Sequence, residues 1–239
     1  NRSDAVTSVS ENLKQDTYDH FKITRDIEVI HNFIDLDKFK KTSKDHFRKA
    51  ICPNGEKLLV HTSNFRKVKR VDQVVRIFSK IRETTPAKLL LVGDGPERAS
   101  IESLCRELGT CQDVRFLGKI SDVQDVLSVS DLFLMPSESE SFGLAGLEAM
   151  ACEVPVISSD VGGLPEMNED GYSGFVCEVG NINQMVAKSL ELLNSETLLN
   201  QFKSQALERA KCFDISKVLH FYEKLYEETL TKIQFQPTN

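Results

Sequence analysis

Two glutamates mark the stretch of the sequence best suited to bind a polar ligand. Glu140 and Glu148 have seven residues between them in PSESESFGLAGLEAMAC, which directly follows the apolar run DLFLMP. A helix that begins at this point leaves its first amides without partners inside the helix, so that they can hold an anion. Small residues in the same stretch would let a bulky anion approach the backbone.

Glu148 stands on a helix that is otherwise small and apolar, GLAGLEAMAC. Burial of a carboxylate there is costly unless another group donates hydrogen bonds to it. Sugar hydroxyls or a protein partner would supply such donors. The alternative is that Glu148 is exposed on the outer face of the helix. The spacing of the two glutamates favours ligand binding.

A second candidate site is a cluster of four cations after an earlier apolar run. Arg66, Lys67, Lys69 and Arg70 lie together in HTSNFRKVKR, just before a helical pattern. A lysine beside a helix N-terminus can bind phosphate, because the ammonium adds a point charge to the oriented amides. A solvated basic turn and a nucleic-acid contact are the alternatives. No other part of the chain extends the patch, which disfavours nucleic acid.

The segment GDGPE at residues 93–97 is a weaker signal. It does not match the G-x-G-x-x-G dinucleotide pattern. Two glycines permit a tight turn and a close backbone approach, so a structural turn explains the segment equally well.

The elements that position these residues follow from the apolar pattern. Short apolar runs predict strands, and apolar residues three and four apart predict helices between them. We predict that Ser121 caps one helix and that residues 28–30 form an early strand. The predicted strands cover 57–62, 88–93, 114–118, 131–136, 154–159 and 174–179, and the predicted helices cover 71–81, 97–108, 121–130, 143–152 and, as two or three helices, 181–230.

Strands that alternate with helices predict a doubly wound α/β fold, a Rossmann-like domain with a parallel sheet covered on both faces. Ligands of such sheets bind beyond the carboxyl ends of the strands. The glutamate stretch and the cation cluster both follow predicted strands. We therefore expect them at the same edge of the sheet.

Composition removes several other classes of protein. The 239 residues are 40% hydrophobic and 28% charged with a net charge of −6, which excludes disordered chains and gives no general attraction for nucleic acid or anionic lipid. No apolar run is long enough to span a bilayer. The six cysteines form no CxxC pair and are predicted to be reduced core residues, which favours the cytoplasm. His31 and His61 are interpreted as hydrogen-bonded turn or strand residues rather than catalytic bases.

The order of these motifs resembles a known family. ESFGLAGLE, the lysine loop, GDGP, FLG and GGLPE occur as they do in the retaining glycosyltransferases of family 4, which have the GT-B fold. The resemblance extends from SDAVTSVSENL through the last helices. HTSNFRKVKRVDQVV and IHNFID are most similar to the subgroup that transfers GlcNAc from UDP-GlcNAc to L-malate in bacillithiol biosynthesis.

The resemblance implies a role for each matching residue. Lys69 would neutralise the UDP diphosphate, Glu140 would bind hydroxyls of the donor hexose, and Glu148 would accept from the ribose hydroxyls. Sugar and β-phosphate would be held by backbone amides, and uracil would be read by main chain after FLG. The amides are those of Phe142, Gly143 and Leu144, and the uracil segment is Lys119 and Ile120.

Two departures from the family pattern matter. Many members have Arg where this chain has Asn64, which can donate a hydrogen bond to phosphate but carries no charge. The second departure concerns length. Residues 1–50 resemble only the end of an N-terminal acceptor domain with its linker, 51–212 the donor domain, and 213–239 a C-terminal helix and tail. We therefore expect this chain to bind a UDP-sugar but to be inactive in transfer by itself.

The sequence predicts neither a metal nor a cofactor. It contains no DxD-type carboxylate pair after a strand and no His/Cys cluster at ligand spacing. The expected partners are a UDP-sugar and a small acceptor, without nucleic acid or a membrane span, and a homo-oligomer is compatible with the sequence. The alternatives are another family-4 enzyme that uses a UDP- or GDP-sugar, or a non-catalytic sugar-nucleotide binding module.

Overall fold

Two parallel sheets contain the strands of the protein, in a computed structural model that describes residues 3–234. The first two strands form a small sheet of their own, and the other six form the main sheet. In chain order the strands are β1 (Thr7–Ser8), β2 (Glu28–Val29), β3 (Lys57–Ser63), β4 (Ala87–Gly93), β5 (Val114–Gly118), β6 (Leu132–Met135), β7 (Val156–Ser159) and β8 (Gly174–Cys177).

Helices connect the strands of the main sheet and cover both of its faces. Three further helices complete the carboxyl-terminal part. In chain order the α-helices are α1 (Glu11–His20), α2 (Asp45–Ile51), α3 (Val71–Arg82), α4 (Arg98–Glu107), α5 (Val123–Ser128), α6 (Leu144–Ala151), α7 (Leu164–Met167), α8 (Ile182–Leu193), α9 (Glu196–Ala210) and α10 (Ile215–Gln234). None of the helices in residues 3–234 is long and apolar enough to cross a membrane.

The main sheet has the strand order β5-β4-β3-β6-β7-β8, and all neighbours are parallel. This confirms the doubly wound α/β fold expected from the alternation of strands and helices. From β3 the chain first builds the sheet to one side through β4 and β5, and β6 then adds on the other side of β3. The helices that follow β3 and β6 consequently pack on opposite faces of the sheet and leave a crevice between their starting points.

The central strands are buried on both faces, which is why their sequences read as continuous apolar runs. Along β3, Leu58 and Val60 pack into one core, and Leu59 packs into the core on the opposite face. All three side chains are fully buried. The strand that leads into the lysine loop is therefore fixed by apolar packing on both of its faces.

The two ends of the described chain lie against each other beside the main sheet. Ile34 bridges to Asp214 just before α10, and the rings of Phe33 and Tyr222 are 6.5 Å apart. The early strand predicted at residues 28–30 is present as Glu28–Val29. It pairs with β1, which the apolar pattern did not predict.

Two details of the predicted elements were wrong. Ser121 does not cap α5, because the N-cap is the next residue, Asp122, and the helix begins at Val123. The Ser121 hydroxyl instead donates to the Asp122 carboxylate at 3.0 Å. The strand predicted over 154–159 begins only at Val156. The Val154 amide donates to the Ala149 carbonyl at 2.9 Å, and Pro155 has no N–H. Neither residue can therefore donate a hydrogen bond to a neighbouring strand.

Candidate active site

The loops after β3 and β6 lie at the same edge of the sheet, as expected from their positions after predicted strands, and they also contact each other. A short 3₁₀ turn, Lys67–Lys69, leads from β3 into α3. The Glu138 amide, in the loop after β6, donates to the Val68 carbonyl at 2.8 Å. A salt bridge joins the Arg70 guanidinium to the Glu138 carboxylate. These contacts hold the two loops together.

Lys69 and Glu140, the two residues proposed for the diphosphate and the hexose, are in direct contact. The Lys69 Nζ lies 2.5 Å from the Glu140 Oε2, and the two side chains are 22% and 13% exposed. The sequence placed both at the carboxyl edge of the sheet but did not predict the pair. An ammonium has three donors, so Lys69 can keep this contact and still reach a phosphate.

The two glycines of GGLPE, Gly162 and Gly163, pack against the backbone of Glu140. The Gly163 amide donates to the Glu140 carbonyl at 3.0 Å. Gly162 has φ +58°, and a Cβ at this residue would lie 1.9 Å from the same carbonyl oxygen. A side chain at residue 162 would therefore displace the backbone that carries the Glu140 carboxylate.

Helix α6 points its N-terminus at the same crevice. Gly143 precedes the helix with φ +103° and supplies no side-chain cap. Within residues 3–234, no group accepts a hydrogen bond from the amides of Phe142, Gly143 or Leu144. The Phe142 side chain is fully buried, whereas Leu144 is exposed. The free amides and the helix dipole give this corner a positive potential.

Glu148 lies on α6, five residues into the helix, and is half-buried. The structure therefore does not support the alternative of a glutamate exposed on the outer face. Burial raises the pKa of its carboxyl group, and the nearby Lys38 charge opposes that rise. No hydrogen bond or salt bridge to the Glu148 carboxylate occurs in the described part of the chain. Its carboxylate is thus partly desolvated and has capacity for hydroxyl donors.

The remaining predicted residues lie along the same edge of the sheet. Asn64 follows β3 and is exposed, and Lys119 and Ile120 are exposed directly after β5. Because β5 is the edge strand and is separated from β3 by β4, these two residues lie to one side of the Lys69–Glu140 pair. They can contact one end of an elongated ligand whose other end reaches the pair.

GDGP has a structural role at this edge. A Cβ at Gly93 would lie 1.8 Å from the Ser63 carbonyl oxygen, and one at Gly95 would lie 2.0 Å from that of Asn64. The turn therefore packs directly against the start of the loop that carries Lys69. Sequence reasoning left this role open and missed the Arg70–Glu138 bridge. The only signal for the bridge was the acidic pattern SESES opposite a basic loop.

His61 is a buried strand residue, as the sequence analysis interpreted it. Its Nδ1 lies 2.8 Å from the Leu134 carbonyl oxygen and its Nε2 lies 2.8 Å from the Ser63 hydroxyl. Burial, with a smaller contribution from the Lys69 charge, lowers the pKa of His61 to about 4. The ring is therefore neutral at pH 7, with Nδ1 as donor to the carbonyl and Nε2 as acceptor from the hydroxyl.

No cluster of three or more His, Cys, Asp or Glu side chains suited to a metal ion occurs in residues 3–234. The positive groups of the crevice are the Lys69 ammonium and the α6 amides. The groups that accept hydrogen bonds are the carboxylates of Glu140 and Glu148. Such a set can bind an anion that also carries hydroxyl groups.

Comparison with known sequences gives relatives of this chain. Residues 42–209 match the family described as glycosyl transferases group 1. N-acetyl-alpha-D-glucosaminyl L-malate synthase of Bacillus anthracis is 43% identical over 231 residues, which are 96% of this chain and 61% of that protein. This chain thus spans about three fifths of the length of that relative.

Solved structures share the fold. Anabaena HepE in complex with UDP and glucose superposes with a TM-score of 0.87 at 21% identity, over 94% of this chain and 64% of that one. A mutant of Staphylococcus aureus TarM in complex with fondaparinux, alpha-GlcNAc-glycerol and UDP gives a TM-score of 0.81 at 25% identity, over 93% of this chain and 44% of that one.

Proposed function

Because the chain belongs to the family of glycosyl transferases group 1, we propose that it forms the donor-binding part of a retaining glycosyltransferase. The reaction moves GlcNAc from UDP-GlcNAc to L-malate. The observation that carries the proposal is the contact between the Lys69 ammonium and the Glu140 carboxylate, three residues before the uncapped N-terminus of α6.

The proposed donor lies with its diphosphate at Lys69 and the N-terminus of α6. The amides of Phe142, Gly143 and Leu144 bind the sugar and the β-phosphate, and Glu140 binds hydroxyls of the hexose. Asn64 adds a neutral donor for phosphate at the exposed end of β3. The contribution of these groups to rate is the stabilisation of charge that develops on the diphosphate as the sugar leaves.

The proposed nucleoside extends from Glu148 on α6 toward the end of β5. Glu148 accepts hydrogen bonds from the ribose hydroxyls, which compensates the partial desolvation of its carboxylate. Main chain at Lys119 and Ile120 reads the uracil edge. The UDP found with HepE and TarM supports a uridine nucleotide for this chain.

The identity of the acceptor rests on sequence similarity. The Bacillus anthracis relative is named for GlcNAc transfer to L-malate, and the identity of 43% covers nearly the whole chain. The six cysteines are all free, but Cys111 and Cys212 are exposed, so the prediction that all six are core residues was wrong for these two. The free thiols support a reducing compartment, and we propose the cytoplasm. The division into an acceptor end (1–50), a donor domain (51–212) and a C-terminal helix and tail (213–239) belongs to the same proposal.

The donor is tested by calorimetric titration of UDP-GlcNAc, UDP-glucose and GDP-mannose into this chain, with and without EDTA. We expect UDP-GlcNAc to bind most tightly and EDTA to have no effect. Preference for GDP-mannose, or an affinity lost in EDTA and restored by Mg²⁺, would contradict the proposal.

Transfer is tested by mass spectrometry of reactions that contain UDP-GlcNAc and L-malate. The Bacillus anthracis relative serves as the positive control. We expect no product from this chain alone, and product from a form extended at the amino terminus to the length of that relative. Binding without product from the extended form would instead support a non-catalytic sugar-nucleotide module.

A further inference from the structure

The glutamate of GGLPE has a set of contacts to which the sequence assigned no role. Glu166 lies on α7, three residues after the second of the two glycines that contact the Glu140 backbone. Its Oε2 accepts from the Glu11 amide at 2.8 Å, and its Oε1 accepts from the Asn12 amide at 2.9 Å. These are the first two amides of α1, more than 150 residues earlier in the chain.

The cap on α1 is complete because a second residue binds the third amide. The Ser10 hydroxyl accepts from the Leu13 amide at 3.1 Å. None of the side chains of α1 is buried, so the helix has no apolar face that fixes it to the sheet. Charged acceptors at a helix N-terminus are favoured by its free amides and its dipole. Glu166 is therefore a principal attachment of α1 to the donor domain.

Glu166 also holds a ring that packs beneath the donor loop. Its Oε2 lies 3.0 Å from His31 Nε2. The His31 ring centroid is 5.5 Å from that of Phe142 and 5.7 Å from that of Phe213, and the two phenylalanines are 5.3 Å apart. The backbone of Phe142 carries one of the amides that face the crevice. His31 thus connects Glu166 to the anion-binding amides.

The position of Glu166 is itself fixed. The Arg209 guanidinium donates to the Glu166 carbonyl at 2.5 Å and to the Met167 carbonyl at 3.1 Å. On the other side, Gly163 lies between two segments, because a Cβ there would be 2.3 Å from the Ser141 carbonyl oxygen and 2.9 Å from Ser10 Cβ. The residue that caps α1 and the loop that contains Ser141 therefore both pack closely against Gly163.

We propose that Glu166 is a positioning residue of the donor site, which acts by anchoring α1 and by orienting His31 against Phe142. It keeps the Glu140–Leu144 loop in its anion-binding shape and couples the first thirty residues to occupancy of the crevice. This inference rests on the proposed function, because it takes the crevice as the donor site. Glu166 itself does not touch the donor.

The test compares Glu166→Gln with Glu169→Gln, a matched charge removal at an exposed carboxylate whose contact with Arg209 is 4.0 Å long. Hydrogen exchange by mass spectrometry follows the peptides over residues 10–14 and 142–147. In Glu166→Gln we expect exchange at residues 10–14 to become about tenfold faster, because a charge-assisted acceptor is lost. UDP affinity should fall three- to tenfold, roughly, and uridine affinity less than twofold. Glu169→Gln should change neither.

Two substitutions at His31 separate its contacts. His31→Phe keeps the ring against Phe142 but removes the bond to Glu166, whereas His31→Ala removes both. We expect the alanine variant to lose more UDP affinity than the phenylalanine variant. Equal affinities of both variants and the parent would overturn the role of the ring.

The unmodified chain provides a test that needs no variant. Coupling is reciprocal, so UDP should slow exchange at residues 10–14 as well as at 142–147. Protection confined to 142–147, or equal losses of UDP and uridine affinity in Glu166→Gln, would overturn the inference. If the parent chain does not bind UDP, the proposed function fails, and exchange at residues 10–14 in Glu166→Gln still decides whether Glu166 anchors α1. If the parent binds UDP and Glu166→Gln binds it equally well, only this inference fails.

Discussion

Partly buried ion pairs lie at both ends of the strands of the main sheet, which we call its amino-terminal and carboxyl-terminal edges. The carboxylates of the two edges differ in how many hydrogen bonds they already accept. At the amino-terminal edge, Asp131 accepts from Arg48 at 2.7 Å, from Lys203 at 3.0 Å and from the Leu58 amide at 2.8 Å. At the carboxyl-terminal edge, the Glu140 carboxylate accepts only from Lys69 among the described residues, and the Glu148 carboxylate accepts from none.

This difference separates a structural cluster from a binding site. Asp131 uses its acceptors within the protein, and Arg48 also donates to the Val129 and Glu56 carbonyls. A satisfied cluster of this kind joins α2, β6 and α9 and leaves little for a ligand. At the opposite edge, the carboxylates have spare acceptors near the free helix amides, and water or a ligand must complete their hydrogen bonds.

The largest effect is expected on the free energy of unfolding, from breaking the cluster of Asp131, Arg48 and Lys203. Asp131→Asn leaves two cations without their counter-charge, and removing one partner of a buried pair costs about 3–5 kcal/mol. Burial opposes the low pKa of Asp131, and Lys203 and Arg48 hold it below its usual range, so the pair is charged at pH 7. Denaturant unfolding measures the loss, and UDP affinity of the folded protein should stay within twofold.

Asp125→Asn is the control for that substitution. Asp125 pairs with Lys44 at 3.1 Å, and both side chains are about one third exposed. We expect a change in unfolding free energy of about 0.5 kcal/mol or less. A similar loss in both variants would remove the distinction between the buried cluster and ordinary surface pairs.

The next effect is a pH dependence from His61 at the carboxyl-terminal edge. The pKa of His61 is about 4 when folded, against about 6.5 in an unfolded chain. Between these values the unfolded state binds more protons, so stability is present above pH 6.5 and falls as pH falls toward 4. The loss attributable to His61 is about 3 kcal/mol.

Unfolding in denaturant between pH 7 and 4.5 measures this dependence. Carboxylates also titrate there, so the informative quantity is the difference between the parent and His61→Gln. The variant should show a shallower loss of stability. Identical slopes would show that His61 is already protonated or solvated in the folded protein.

A smaller effect on affinity is expected from Lys69→Ala. Loss of a charged contact costs roughly 1.5–3 kcal/mol, which is about one to two decades of UDP affinity. Uridine affinity should hardly change, because the ammonium faces the diphosphate. Lys67→Ala, an exposed lysine of the same 3₁₀ turn, is the control in calorimetry. Equal effects of both substitutions would indicate a diffuse basic surface instead of a site.

The smallest effect concerns Glu148. Glu148→Gln should weaken UDP more than 2′-deoxy-UDP, by a factor that corresponds to about one hydrogen bond, or 1 kcal/mol. Because burial raises the pKa of this carboxyl group, the amide should not lower the unfolding free energy at pH 7. A variant that discriminates between the two nucleotides as strongly as the parent would exclude the ribose contact.

The sequence predicted the main sheet well because its strands are buried on both faces and leave continuous apolar runs. It did not predict α1, whose side chains are all at least partly exposed, or α7, which is four residues long. Neither element leaves an apolar stripe of useful length. The terminal segments are held by capping and pairing with distant residues, which local patterns do not encode.

The candidate site was predictable only in part. That Lys69 and Glu140 share an edge follows from parallel strands, but their contact depends on how two loops fold over the crevice. The sequence did not predict that Asp131 forms a cluster with Arg48 and Lys203, because these partners are 83 and 72 residues away in sequence. Such contacts arise from the order of strands and helices, not from spacing along the chain.

The most direct test of the account is calorimetric titration of UDP, UMP and uridine into this chain at one fixed ionic strength. The crevice places the Lys69 ammonium and the α6 amides where the diphosphate lies. We therefore expect one saturable site, with affinity rising from uridine to UMP to UDP and about tenfold or more between uridine and UDP. Equal affinities for uridine and UDP, or no binding of UDP, would contradict it.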